Sequence, residues 1–275
     1  MNQICKEWDG QWQGITVASD GCCYFGSSTH AKSRGAGFHK FDPKTYEVTV
    51  LSDDMTEVCG ELDLPGHPQQ GKIHSDIQEH NGWLYFCTHL SNYWKEGIEN
   101  YPGAHIIGYE MATGKFRDYG IPMPGYSIYA AIGVDPKYNK IYAFMTPFKA
   151  EDKENGGCYL YSIDIESGEM QNLGMVVKGK GCAFYFYIDD NGNVWFTLKK
   201  RGYAKYENDH GNLYVYRPET GKIETYYDVL PMGQLIDGTR TTEKQDTQRS
   251  WTWLTHIEGR KKCLFIMGPF GGGDE

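Results

Sequence analysis

The chain has 275 residues, 27 Lys and Arg against 36 Asp and Glu for a net charge of −9, and 40% hydrophobic residues, with aromatics at 15%. That composition excludes a disordered acidic chain, which lacks the apolar area to offset ordering entropy, and the negative charge disfavours nucleic acid or an anionic membrane as partner. No apolar run approaches the ~18 residues of a membrane helix, and the opening MNQICKEWDGQW lacks the basic start and apolar stretch of a signal peptide, so the chain reads as cytoplasmic or as a trimmed periplasmic or secreted form.

In chain order, the pattern is one of short strands that repeat. GITVAS (14–19) and SDGCCYFGSSTH (19–30) are followed, after a polar insertion, by FHKFDPKTYEV (38–48). The same series returns as KIHSDIQE (72–79), HNGWLYFCTH (80–89) and IIGYEMATGKF (106–116), then as SIYAAIGVD (127–135), YNKIYAFMTPF (138–148) and LYSIDIESGEM (160–170). A fourth series is CAFYFYID (182–189), DNGNVWFTLKKR (190–201) and LYVYRPETGKI (213–223), and a fifth begins with SWTWLTHIE (250–258) and GRKKCLFIMGPF (259–270). The third member of each full series reads as strand, tight turn, strand, and its turn glycines at 114, 168 and 221 fall 54 and 53 residues apart. No segment sustains helical periodicity.

Four-stranded antiparallel units repeated at such a period make an all-β fold, a β-propeller, in preference to a solenoid of parallel strands. Residues 1–275 are expected to form a single propeller domain with about five blades visible. The fifth unit stops after its second strand, so either the segment 1–13 closes the last blade or the chain is the front part of a longer ring.

Propeller topology converts position into place. With the strands of a blade named A to D from the axis outward, the start of A and the end of B meet at one mouth of the central channel. The long B–C loops, 27–37, 89–105, 147–158 and 198–212, open on that mouth, where binding groups concentrate. It collects His30, with Lys32 and Arg34, from the first blade, and His74, Thr88, His89, Asn92 and Tyr93 from the second. The third adds Tyr126, Ser127, Tyr129 and Thr146, the fourth Lys180, Tyr185, Thr197, Lys199, Lys200 and Arg201, and the fifth Arg249, Trp251 and Trp253. The expected site is cationic and aromatic in an acidic protein. His74 and His89 stand out, because blade geometry brings them together and histidine serves as acid or base near neutral pH. Each group also has a plainer reading: a histidine at a strand end is often a hydrogen-bonded structural residue, Lys199-Lys200-Arg201 a solvated loop, and Trp251 and Trp253 core rather than a sugar platform. Tyr126 and Tyr129 lie on opposite faces of a strand, so one of them at most faces the channel.

The eight cysteines form no paired metal spacing and read as small buried hydrophobes of a reduced or redox-indifferent protein. His39, His67, His80, His105, His210 and His256 share no metal-site spacing, and neither a nucleotide fingerprint nor a nucleophile turn is present. No cofactor is expected, while a structural or catalytic divalent metal remains compatible with the sequence.

The units carrying KIHSDIQEHNGWLYFCTH and the acidic-x-x-Thr/Ser-Gly turns resemble repeats of sugar-active bacterial β-propellers over most of the chain. Among these, the match in chemistry is to the polysaccharide lyases of the ulvan lyase type, which are usually seven-bladed. That resemblance implies cleavage of an acidic polysaccharide or oligosaccharide, a uronate-containing chain, by β-elimination at one mouth of the ring. It implies His74 and His89 as base and positioning group, Tyr129 as acid, and Arg201 with Lys199 as the cations that neutralise the carboxylate. His30, Tyr93, Tyr126, Lys199, Trp251 and Trp253 would bind substrate. Two other readings stand beside it: a propeller that binds a ligand or a protein without chemistry, and a metal-dependent sugar-lactone hydrolase, which needs inward Glu, Asn and Asp ligands where these strands offer mainly His, Tyr, Lys and Trp.

Overall fold

The structure, a computed structural model, describes residues 6–64, 66–92, 95–179, 181–198, 212–227 and 229, and the backbone of 251–256 and 263–267. Four four-stranded antiparallel sheets follow one another along the chain, each with its strands in sequence order. They are β1 (Ile15–Val17) to β4 (Glu47–Ser52) through β2 (Cys23–Ser27) and β3 (Gly37–Asp42), and β5 (Gln78–His80), β6 (Trp83–Cys87), β7 (Ile106–Glu110) and β8 (Phe116–Gly120). The third comprises β9 (Tyr126–Asp135), β10 (Lys140–Pro147), β11 (Gly157–Asp164) and β12 (Met170–Lys178), and the fourth β13 (Tyr187–Ile188), β14 (Val194–Phe196), β15 (Leu213–Arg217) and β16 (Lys222–Tyr226). A two-stranded sheet of β17 (Trp251–His256) and β18 (Cys263–Met267) comes after them. These sheets are the blades of a β-propeller, and the solenoid of parallel strands is excluded.

The wholly apolar second strands have a simple cause. In β6, Leu84 and Phe86 point into a cluster with Tyr24 and Phe38 of the first blade, while Tyr85 and Cys87 point the other way, against Ile128, Ile132 and Met145 of the third. A third cluster joins Tyr142, Phe144 and Leu160 of the third blade to Phe196, Tyr214 and Tyr216 of the fourth. A strand packed between two neighbours must be apolar at both parities, so alternation disappears where burial is two-sided. At ~25 cal/mol per Å² of apolar area, these interfaces supply the main force that holds blade to blade.

Polar latches set the spacing between the same blades. The Gln78 side chain donates to Ile132 O at 3.2 Å and accepts from Val134 N at 2.7 Å, so it acts as an extra rung between β5 and β9. Arg117 on β8 donates to Ile165 O and Glu166 O in the turn of the third blade, and Lys137 donates to Asn191 O in the fourth. The C–D turns carry Gly114, Gly168 and Gly221 at φ of 73°, 79° and 65°, the left-handed backbone that a side chain disfavours.

Three features differ from the sequence expectation. The stretches 72–77 and 183–186, expected as inner strands, are irregular except for a bridge between Lys72 and His89, so β5 and β13 are short. Among the described residues three short helices, α1 (Met55–Val58), α2 (Lys95–Ile98) and α3 (Ala150–Asn155), occupy connections too brief to show a helical period. In α1 the Asp54 carboxylate caps Thr56 N and also accepts from Gly35 N, tying the helix to the first blade. The pairing of β9 with β10 also slips: Ile128 pairs with Met145 and Ile132 with Ala143, so Tyr129, Ala130 and Ala131 stand opposite Phe144 alone.

Candidate functional site

His74 belongs to the irregular stretch between β4 and β5, whose backbone is held by the Lys72–His89 bridge, with N···O distances of 3.0 and 2.8 Å. His89 follows the end of β6, and Tyr129 sits in the bulge of β9, the kind of irregularity that re-aims a side chain. The three rings form a triangle: His74 to His89 is 5.3 Å between centroids, His74 to Tyr129 5.0 Å, and His89 to Tyr129 5.4 Å. His74 is 5% exposed and His89 0%, whereas Tyr129 is partly exposed. His89 Nδ1 shares a hydrogen bond of 2.6 Å with Ser127 Oγ, which fixes the ring's orientation, and Phe148 and Phe184 close the cluster against His89 and Tyr129.

Four residues that sequence reasoning did not select complete the surroundings. Trp12 stacks on His74 at 5.0 Å and 26° and meets His30 edge-on at 5.3 Å. Lys72 is 1% exposed; its Nζ donates to Ser91 O at 2.5 Å and Leu90 O at 3.2 Å and lies 5.8 Å from the centre of the Trp12 ring. Burial pulls the Lys72 amine down to about 8, against a small opposing pull from Asp9. Burial likewise lifts the Asp76 carboxyl to about 6 and the Tyr185 hydroxyl, which also feels Asp76, to about 12. Gln13 hydrogen-bonds the Tyr185 hydroxyl. Lys72 and Asp76 flank His74 at two-residue spacing, a signal that extended geometry along KIHSD could have exposed.

His30 is exposed, its Nδ1 3.0 Å from the Asp9 carboxylate. Tyr126, expected among the substrate-binding residues, is instead buried between the second and third blades, against Tyr159. The β9 alternation puts it on the opposite face from Tyr129, and the bulge holds Tyr129, not Tyr126, against the two histidines. Arg201, Lys199 and Tyr93 lie outside the described residues, as do the side chains of Trp251 and Trp253, between which the strand pairing shifts register.

A second polar cluster is joined to the first by hydrogen bonds that reach Thr88, the neighbour of His89. His105 is held between Glu61 Oε1, 2.8 Å from Nε2, and Asp118 Oδ2, 2.8 Å from Nδ1. Burial alone would depress this imidazole, but the bonds to Asp118, Cys59 and Glu61 outweigh it and raise it to about 12. Glu61 passes the network on to Gln70, and Gln70 to Thr88, the neighbour of His89. Cys59, His105 and Asp118 also form a grouping able to hold a metal ion, which sequence spacing did not reveal because its members lie far apart in the chain. The donors suit an ion only in part: both imidazole nitrogens already face carboxylates, and burial raises the Cys59 thiol to about 11. A metal would have to displace the proton that those carboxylates retain.

No family model matches the chain, and no curated protein does. Among solved structures it is similar to a fungal alcohol oxidase of the AA5 family in complex with copper, at 12% identity over 81% of this chain and 45% of that one, with a TM-score of 0.48. It is also similar to oligogalacturonate lyase from Vibrio parahaemolyticus, at 12% identity over 82% and 56% with a TM-score of 0.43. An oligogalacturonate lyase in complex with manganese shows 14% identity over 94% and 64%, with a TM-score of 0.49. The chain thus spans about half the length of these structures. Likenesses this distant reach neither activity nor substrate. No helix among the described residues is long and apolar enough to cross a membrane.

Proposed function

We propose that the chain is a carbohydrate-active propeller that cleaves a uronate-containing polysaccharide by β-elimination at the His74–His89–Tyr129 cluster. The observation that carries the reading is the triangle itself: two imidazoles and a phenol, each pair about 5 Å apart, brought from two blades to one place. Elimination needs a base for the proton on C5, next to the carboxylate, and an acid for the departing glycosidic oxygen. The C5–H bond and the bond from C4 to the leaving oxygen break, a C4–C5 double bond forms, and the leaving sugar receives a proton. Tyr129, the partly exposed member, donates its proton to the leaving glycosidic oxygen, His74 takes the proton from C5, and transfer of that proton from His74 to the Tyr129 phenolate restores both groups. His89, locked by Ser127, holds the geometry. Lys72 places a positive charge beside the cluster, the sign that favours a carboxylate turning into an enediolate.

The deep burial of the two histidines favours the other reading, a mouth that binds acidic sugar without turnover. Incubation with a panel of acidic polysaccharides, followed by ultraviolet absorbance of unsaturated uronate ends, separates the two. The lyase reading expects a rise that His74→Ala abolishes while binding persists. No rise with any substrate, together with binding indifferent to His74→Ala, would leave the binding propeller.

A further inference from the structure

We propose that Trp12 is the stacking platform of a sugar subsite adjoining the histidine cluster, and that a pocket at Lys32, two residues beyond His30, takes the acidic group of the same chain. The inference rests on the reading of the mouth as a carbohydrate site, and it adds a second point of contact for an acidic chain. The indole is carried by a strap that is fastened along its length. Asp9 N and Gly10 N donate to Ser28 O at 3.0 and 3.2 Å, Ser28 N returns a bond to Gly10 O at 2.7 Å, and Gly26 N donates to Gly14 O at 2.8 Å. The Gln13 side chain pins the same strap to Tyr185 of the fourth-blade segment. Gly10 lies directly against the indole, where a Cβ would come within 3.0 Å of the ring.

A ring held this way has little conformational freedom left to lose when a ligand arrives. Trp12 nevertheless remains 40% exposed, although it stacks on His74 and touches His30. A rigid, partly open aromatic surface rimmed by an imidazole suits a pyranose, whose C–H face stacks on the ring while its hydroxyls reach the polar rim. Two residues beyond His30, Lys32 lines a pocket of ≈ 250 Å³ with His67, Gln69 and Asn92. That is below the ~300 Å³ of drug-sized ligand sites and on the scale of one sugar unit. Asn92, in the lining of that pocket, donates to Ser91 Oγ, and the Ser91 carbonyl accepts from Lys72, whose Nζ lies 5.8 Å from the Trp12 ring, so hydrogen bonds tie the pocket to the platform. An ammonium in that pocket selects a carboxylate-bearing sugar over a neutral one.

Equilibrium binding of oligoglucuronates, measured in the Tyr129→Phe background so that turnover does not intervene, tests this, with carboxyl-reduced oligosaccharides as the neutral probe. Trp12→Ala is expected to weaken both ligands about tenfold, the equivalent of ~1.4 kcal/mol, and Trp12→Phe to retain most of the affinity with an unchanged unfolding midpoint. Lys32→Gln is expected to weaken the acidic ligand alone. Unchanged affinity in Trp12→Ala overturns the platform. So does faster acylation of His74 by an imidazole reagent together with raised turnover in Trp12→Ala, because the indole is then a cover. Failure of this inference is distinct from failure of the lyase reading: Trp12-dependent binding with no cleavage by the unaltered protein sinks the lyase alone, and cleavage with Trp12-independent binding sinks the platform alone.

Discussion

Replacing His39 with Phe should flatten the acid side of the protein's stability profile. His39, on β3, is 0% exposed, stands edge-on to Trp8 at 4.8 Å and stacks on Phe25 at 5.2 Å. Burial lowers the imidazole to about 4, so it is neutral in the folded protein over most of the accessible range. In the unfolded chain the same ring takes its proton near pH ~6.5. Below that pH the unfolded state binds a proton that the folded state refuses. Stability present at neutral pH is therefore lost as pH falls from about 6.5 to about 4, and at ~1.36 kcal/mol per pH unit the loss comes to about 3 kcal/mol. For a chain of this size each kcal/mol moves the midpoint by ~2–4 °C, so the expected effect is about 6–12 °C. Urea or thermal unfolding of the unaltered protein and of His39→Phe should be followed from neutral to mildly acid pH. Carboxylates that titrate in both proteins cancel in the difference, which should move by about 3 kcal/mol in favour of the variant on the acid side. The ring is tight against Gly37, where a Cβ would sit 2.7 Å from His39 Nε2, and overpacking by Phe lowers stability at every pH alike. The readout is the slope, and parallel profiles would refute the buried neutral imidazole.

Three further outcomes follow from neighbouring contacts. His105→Gln removes an imidazolium from between Glu61 and Asp118 and leaves the buried Glu61 uncompensated, which should cost about 3–5 kcal/mol in urea unfolding. Because the folded His105 is raised, its contribution is complete below pH ~6.5 and declines as pH rises, so the deficit of the variant should shrink on the alkaline side. Gln78→Ala orphans Val134 N and Ile132 O at the seam between the second and third blades; a loss of about 1–3 kcal/mol and faster hydrogen exchange at Val134 are expected. On the lyase reading, turnover should fall as pH rises through about 8, where Lys72 gives up its charge, and Lys72→Met should lose that alkaline limb along with most of the rate; an unchanged limb in Lys72→Met would remove Lys72 from the proposed reaction.

The architecture was legible because its strongest signals are local and repeated. The wholly apolar Leu84–Cys87 run and its counterparts can be buried on both faces only between two blades, and turn glycines mark the outer hairpins of the second, third and fourth, with Tyr46 in the left-handed place of the first. What stayed hidden depends on long-range geometry. His105, Glu61 and Asp118 come from separate connections and strands, and nothing in their spacing announces that an imidazole lies between two carboxylates. Trp12 was equally silent, since its strap forms only a single bridge, Gly10 to Ser28, and shows no strand periodicity of its own.

The site itself divides along the same line. His74 and His89 were identifiable as partners because antiparallel blade strands return the chain to its starting end, and the Lys72–His89 bridge is the residue of that pairing where the inner strand has otherwise frayed. Choosing between Tyr126 and Tyr129 was beyond alternation, which states only that they face apart. The decision is made by the slip in β9: three residues opposite Phe144 thrust Tyr129 out of the ladder toward the histidines, while Tyr126, paired with Pro147 in regular register, keeps to the apolar seam. A bulge of this kind forfeits ladder hydrogen bonds, and here what it gains is the aim of the one phenol in the cluster, with Ser127 two residues away braced on His89. Local strand geometry is thus given up at the point where the candidate chemistry begins, and a reading built on regular strands, which placed Tyr129 as acid and Tyr126 beside it as a sugar contact, had no signal for the bulge that sets the two apart.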